Sequence, residues 1–418
     1  MSGYYIEGMH SLDGEIIVQG AKNAVLPILA ASIINGGKNV IHNCPKLRDV
    51  EKTIEVLRAL GCRVIPLGNT IVVDSGPMDG FVIEETLMRQ MRSSIIFLGA
   101  IIARCGKAVV SMPGGCEIGM RPVDLHLKAL KELGIEITED NGYIICKADN
   151  LRGGRIHLDF PSVGATENIM LAAVAAKGTT VITNAAREPE IVDLQNFLCR
   201  MGAKVTGAGT STVYIEGKSK LYGIEYSVMP DRIVAGTYLA CCGTAGGKMF
   251  LKGINTCDMT SILSVLTDMG AKIKQEKNSV FMNVSKRLKS YGTIRTLPYP
   301  GFPTDMQSPF LALACTARGT SVIVETIFEN RFRNAEELVR MGADIRVDGK
   351  TAVVVGVKRL CGANVCACEL RGGASLVTAA LGADGETIVS DIEYIDRGYE
   401  DIDKNLALCG AKIVRIRD

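Results

Sequence analysis

Tryptophan is absent from this 418-residue chain, histidine occurs only 4 times, and the 14 cysteines include no Cys-x-x-Cys pair. Thiols scattered singly, apart from Cys241-Cys242 and Cys366-x-Cys368, with so few histidines, argue against structural zinc and a disulfide framework alike. No apolar run reaches the ~18 residues that a membrane span needs. The start, Met1-Ser2-Gly3-Tyr4-Tyr5, lacks the basic and apolar regions of a signal peptide. Charge of one sign is also missing. With 47 basic and 45 acidic residues the net charge is +2, so the chain as a whole attracts neither nucleic acid nor an anionic membrane, and any anion site must be local. A cytoplasmic, reduced protein is expected, and its length predicts two domains of roughly 200 residues each.

What is present is a repeat. A glycine closes a helix-like run at Gly61, Gly134, Gly202, Gly270, Gly342 and Gly410, at intervals of 68 to 73 residues. A second series, Gly37, Gly106, Gly178, Gly247, Gly319 and Gly385, precedes β-branched runs at intervals of 66 to 72. Two markers with one period of about 70 residues imply six copies of one supersecondary unit. The third copy shows its content: strand 155–159, helix 165–176, strand 179–184, helix 190–201, then strands 203–206 and 212–216, which is βαβαββ. Six such units in two domains give an α/β fold with three repeats per domain. The boundary is expected near Val228-Met229-Pro230, so that 22–229 form one domain and 1–21 with 230–418 the other. The strand 14–18 is expected to cross back to the second domain.

The first helix of each repeat opens with Lys22-Asn23, Arg92-Ser93, Ser162, Asp231-Arg232, Thr304-Asp305 and Arg371. Cations at Lys22, Arg92, Arg232 and Arg371 oppose the helix dipole, so the repeated cost points to a ligand that supplies negative charge. Thr304-x-x-Gln307 reads as a capping box. The loop Pro113-Gly114-Gly115-Cys116-Glu117-Ile118-Gly119-Met120-Arg121-Pro122 carries a thiol outside any apolar run, with a guanidinium five residues on. A nearby cation and exposed backbone amides favour the thiolate, so Cys116 reads as reactive and its loop as a lid. Asn184 to Glu190 reads as structural, Lys46 to Lys52 as a solvated face or capped helix start, and His126 as structural. His10, His42 and His157 have no catalytic spacing.

Taken together, these motifs resemble the enolpyruvyl transferase family over essentially the whole chain. The resemblance rests on Gly20-Ala21-Lys22-Asn23, Pro113 to Cys116 with Arg121 to Asp124, and Ser162-Val163-Gly164-Ala165-Thr166. It extends through Asn184 to Glu190, Phe302-Pro303-Thr304-Asp305-Met306-Gln307, Glu329 to Phe332, and Asp396-Arg397-Gly398-Tyr399-Glu400. It implies the family's two-domain inside-out α/β barrel. It also implies transfer of the enolpyruvyl group of phosphoenolpyruvate to the 3-hydroxyl of UDP-N-acetylglucosamine, with release of phosphate by addition and elimination, as the first committed step of peptidoglycan synthesis.

The same resemblance implies the site. Lys22, Arg121 and Arg397 clamp phosphoenolpyruvate, with Asn23 and Arg371 assisting. Cys116 is the general acid, a carrier of a covalent phosphoenolpyruvate adduct and the residue that fosfomycin alkylates, and Asp305 is the base for the sugar hydroxyl. The nucleotide-sugar is held by Asn23, Arg92, Arg121, Pro122, Val123, Asp124, Leu125, Ser162, Val163, Asp305 and the backbone near Ile327. Domain closure would bring Cys116 and Arg121 to Asp305 and Arg397. No metal or cofactor, no nucleic acid and a monomer are expected. Where some members have aspartate, this chain has Glu369, one methylene longer, which is left outside the assignment. A shikimate-type member is disfavoured by the Pro-Gly-Gly-Cys loop. A non-catalytic binder is disfavoured because Cys116, Asp305 and Arg397 are all present, and a redox sensor because Cys116 has no partner thiol in the sequence.

Overall fold

The computed structural model describes residues 2–90, 92–112, 123–217 and 220–416, with the backbone alone at 90, 92 and 93. The chain divides into two compact units, 20–112 with 123–229, and 2–19 with 230–416. Each contains three four-stranded sheets.

All six sheets share one plan, in which two parallel strands are followed by two antiparallel additions. In the third repeat, Arg155–His157 pairs in parallel with Thr179–Thr183; Thr212–Glu216 pairs antiparallel with Thr179–Thr183 and with Lys204–Thr206. The repeats do not all take their strands from contiguous sequence. Leu12–Ile17 runs parallel to Gly247–Lys252 and so opens the fourth repeat's sheet, as the expected crossover of strand 14–18 requires. The first repeat is opened instead by Glu225–Ser227, parallel to Lys38–His42. Gly3–Glu7 enters the last sheet between Glu386–Ser390 and Lys412–Ile416, antiparallel to both.

The glycines that end the second helix of each repeat have one physical reason. Gly61, Gly134, Gly202, Gly270, Gly342 and Gly410 all have φ between 80° and 102°, the left-handed conformation that turns the chain out of a helix and into a strand at little steric cost. In the first repeat the second series is shifted by one residue: Gly36, not Gly37, carries the positive φ of 63°.

Two kinds of helix alternate. Lys22–Ala31, Phe97–Cys105 and Val163–Ala173 are apolar on nearly every face and buried along most of their length. Arg232–Ala245, Gln307–Thr316 and Leu370–Leu381 do the same in the other unit, where all three touch one another. Helices of this composition belong inside, and each sheet buries one face against them. The second helix of a repeat, such as Arg48–Ala59 or Pro189–Arg200, has charged residues along one face and packs outside. Lys22, Ser162, Asp231 and Arg371 stand at the starts of inner helices, Arg92 and Asp305 in the 3-10 turns that lead into two more. Among the described residues, no helix is long and apolar enough to cross a membrane.

Candidate active-site residues in the two units

In the unit formed by 20–229, Lys22 is the first residue of its helix, and its Nζ lies 2.7 Å from Asp49 Oδ2, both side chains being largely buried. Of the two readings of Lys46 to Lys52, a helix does start there, at Arg48 and without a side-chain cap, while burial of Asp49 corrects the solvated face. Asp49, in the first turn of Arg48–Ala59, is 3% exposed and supplies negative charge beside the Lys22 ammonium. The dipole conflict at this helix start is therefore offset by a protein carboxylate. Asn23, next along, is exposed.

Ser162 caps helix Val163–Ala173, its Oγ accepting from Ala165 N–H at 3.3 Å. Val163 is half-buried at the helix start. Val123 and Asp124 open helix Asp124–Glu132, with Asp124 exposed and Leu125 packed partly against the core. His126 is buried, as expected of a structural histidine, and its Nδ1 lies 2.7 Å from Asn168 Nδ2. Arg92 opens the 3-10 turn Arg92–Ile96. Cys116, Arg121 and Pro122 lie outside the described residues, as does the Arg92 side chain.

In the other unit, Asp305 stands in the 3-10 turn Thr304–Met306, leading into helix Gln307–Thr316. Its carboxylate is gripped by two arginines. Arg331 Nη2 donates to Oδ1 at 2.5 Å and Arg371 Nη2 to Oδ2 at 3.1 Å. Arg331, which sequence reasoning quoted only as part of a motif, is 3% exposed and belongs to this cluster. Its signal was a cation at a strand-to-helix junction, which says nothing about the carboxylate it meets. The capping box does not form. Thr304 Oγ1 donates to Glu325 Oε2 at 2.9 Å, and Gln307 is buried. Buried Glu325 outcompetes the cap because it binds several groups at once: Thr296 Oγ1 at 2.9 Å, Ile327 N–H at 2.8 Å and Phe328 N–H at 3.2 Å, besides Thr304. It thereby fixes the backbone at Ile327.

Arg371 is the second residue of helix Leu370–Leu381 and is 4% exposed. Its guanidinium carbon lies 5.2 Å from the Tyr399 ring centroid, and the Tyr399 hydroxyl is 3.0 Å from Thr237 Oγ1. Burial works against the Arg371 charge, but Tyr399, Asp305 and Asp231 outweigh that cost and hold its pKa above the ordinary arginine value. Glu369 is occupied locally. It caps the same helix, accepting from Arg371 N–H at 2.9 Å and from Gly372 N–H. Arg232 opens helix Arg232–Ala245 over the Tyr299 ring at 5.5 Å, beside Asp231, whose carboxylate caps that helix through Ile233 and Val234.

Arg397 ends the turn Ile395–Arg397, which is braced on both sides. Arg415 donates to both oxygens of Asp396 at 3.0 and 2.6 Å, while Gln19 donates to the Gly398 carbonyl at 3.2 Å and accepts from Glu400 N–H at 2.7 Å. Asp305, Arg331 and Arg371 thus form one contact cluster, and Arg397 stands on a separately braced turn. The planar guanidinium fork suits bidentate binding to two oxygens of a carboxylate or a phosphate.

The sixfold repeat around inner helices is the fold of the enolpyruvyl transferases. The chain belongs to the EPSP synthase family: the profile for EPSP synthase (3-phosphoshikimate 1-carboxyvinyltransferase) matches residues 6–406. Among individual proteins, it is 54% identical over 416 residues to UDP-N-acetylglucosamine 1-carboxyvinyltransferase 2 of Caldanaerobacter subterraneus subsp. tengcongensis, covering 100% of both chains. It is 50% identical to UDP-N-acetylglucosamine 1-carboxyvinyltransferase 1 of Symbiobacterium thermophilum, over 99% of this chain and 95% of that one. In fold it is similar to the enolpyruvyl transferase NikO from Streptomyces tendae, with a TM-score of 0.89 at 24% identity, over 99% of this chain and 98% of that one. The EPSP synthase of Acinetobacter baumannii superposes with a TM-score of 0.74 at 19% identity over 100% of both chains.

Proposed function

We propose that this protein transfers the enolpyruvyl group of phosphoenolpyruvate to the 3-hydroxyl of UDP-N-acetylglucosamine, releasing phosphate, in peptidoglycan synthesis. The observation that carries the acceptor assignment is identity of 54% and 50%, over nearly whole chains, to relatives named for that sugar nucleotide. The cation and carboxylate clusters supply groups suited to the chemistry.

Lys22, Arg121 and Arg397 bind the phosphate and carboxylate of phosphoenolpyruvate, with Asn23, Arg371 and Arg331 assisting. In the addition step the sugar oxygen bonds to C2 of phosphoenolpyruvate, its proton passes to Asp305, and Cys116 delivers a proton to C3. In the elimination step the C2–O bond to phosphate breaks as the Cys116 thiolate takes a proton from C3, restoring the double bond, and the departing phosphate takes the proton held by Asp305. Arg331 and Arg371 each donate to one oxygen of Asp305 and hold its carboxylate in a fixed orientation. Asn23, Arg92, Arg121 to Leu125, Ser162, Val163, Asp305 and the backbone at Ile327 hold the nucleotide-sugar. The reaction is carried out by a cytoplasmic monomer with Cys116 on a closing lid.

Phosphate release from phosphoenolpyruvate, with and without UDP-N-acetylglucosamine, tests this reading. Sugar-dependent release that is lost with fosfomycin and in Cys116→Ala is expected. Release dependent on shikimate 3-phosphate would move the protein to the other branch of the family, and no release with either acceptor would end the catalytic reading.

A further inference from the structure

Asn168 lies in helix Val163–Ala173 and is fully buried. Backbone partners fix which end of its carboxamide is which. Oδ1 accepts from Gly99 N–H at 2.7 Å, and Nδ2 donates to the Ile95 carbonyl at 2.9 Å. The second Nδ2 hydrogen meets His126 Nδ1 at 2.7 Å. That ring nitrogen must then be an acceptor, so His126 is neutral and carries its proton on Nε2. Burial agrees, pushing the His126 pKa down to about 4. The ring is also seated tightly: a Cβ added at Gly164 would stand 3.0 Å from Cε1 and 3.3 Å from Nε2.

We propose that Asn168 is a positioning residue for the nucleotide-sugar, holding in one register the three segments that carry Arg92, Asp124–Leu125 and Ser162–Val163. The inference rests on reading those segments as the sugar-binding ones. Ile95 belongs to the 3-10 turn that Arg92 opens, and Gly99 to the helix that follows it. His126 belongs to the helix that begins at Asp124, and Asn168 to the helix that Ser162 caps. A single carboxamide, with both N–H donors and its oxygen engaged, thus ties three stretches far apart in sequence. Being fully buried, it works through pre-organisation of groups that touch the ligand, which lowers the ordering cost of binding.

Calorimetric titration of the full chain with UDP-N-acetylglucosamine, together with steady-state kinetics, tests this in Asn168→Asp, His126→Ala and His126→Gln. In Asn168→Asp one oxygen still accepts from Gly99, while the other faces His126 Nδ1 and draws a proton onto it. With only 4 histidines in the chain, ring ¹⁵N shifts of labelled protein report the tautomer directly. The expected result is an Nε2–H signature for His126 in the wild type that is lost in Asn168→Asp. Loss of the bond to the Ile95 carbonyl in Asn168→Asp, and of the bond to the ring in His126→Ala, should each weaken sugar binding by about tenfold, with kcat and the KM for phosphoenolpyruvate within about twofold. His126→Gln, which can still accept from Asn168, should recover most of the affinity. Unchanged sugar affinity despite a changed tautomer would overturn the proposal. So would a parallel worsening of both KM values and the melting temperature, and the His126 variants decide the matter should Asn168→Asp fail to fold. A wild-type chain that does not bind the sugar would instead sink the acceptor assignment on which the inference stands.

Discussion

Lys22 Nζ and Asp49 Oδ2 form an ion pair at 2.7 Å, with side chains 12% and 4% exposed. The pair joins the starts of the first repeat's two helices and gives the Lys22 ammonium a fixed place. Removing one member of a buried pair leaves the other's charge poorly solvated, at about 3–5 kcal/mol. Asp49→Ala should therefore lower unfolding free energy by about that amount in urea titration and raise the KM for phosphoenolpyruvate. Wild-type stability together with wild-type KM would show that the pair neither supports the fold nor places Lys22.

Asp305 sits between Arg331 and Arg371. In its proposed role as base for the sugar hydroxyl it should contribute about 10²- to 10⁴-fold to the rate. Asp305→Asn is nearly isosteric and still able to accept hydrogen bonds, so it is expected to lose that factor in kcat. A kcat within tenfold of wild type in rapid-quench measurements would remove Asp305 from the role.

Gly372 is confined by its neighbours. A Cβ there would lie 2.8 Å from Glu369 Oε1 and 3.1 Å from Asn334 Cβ. Gly372→Ala should push Glu369 away from the N–H groups of Arg371 and Gly372, costing about 1–3 kcal/mol through overpacking and loss of the cap. Because Arg371 is the adjacent residue, the KM for phosphoenolpyruvate should rise as well. A variant with unaltered melting temperature and kinetics would show that the helix start accommodates the methyl group.

Glu167 is 2% exposed, its Oε1 has no hydrogen-bond partner, and burial with the nearby Glu190 and Glu188 carboxylates raises its pKa well above the ordinary value. An acid whose pKa is raised on folding binds its proton more tightly in the native state. Its stabilising effect is complete below the unfolded value near 4.5 and is lost as pH rises toward the folded value. Glu167→Gln, neutral at every pH, should thus raise the melting temperature more at pH 8 than at pH 5. An equal change at both pH values would mean that Glu167 titrates normally.

Much of the architecture was legible because it depends on local rules repeated six times. The glycines that end second helices announce a left-handed turn wherever they occur. The predicted strands of the third repeat fall within two residues of those observed. Capping at Thr304 was misread because the motif is local, whereas the hydroxyl's partner, Glu325, is 21 residues away. Asp49 looked like one charge in a solvated run, since nothing in its neighbourhood tells that Lys22, 27 residues earlier, shares its burial.

The sequence alone determined the repeat and the residue types at each helix start, because periodicity, backbone conformation and charge are properties of short segments. Only tertiary structure decided which charges meet. That Arg371 of the sixth repeat meets Asp305 of the fifth, and that Asn168 of the third meets His126 of the second, follows from packing of separate repeats, where the cost of burying a polar group selects one partner among many.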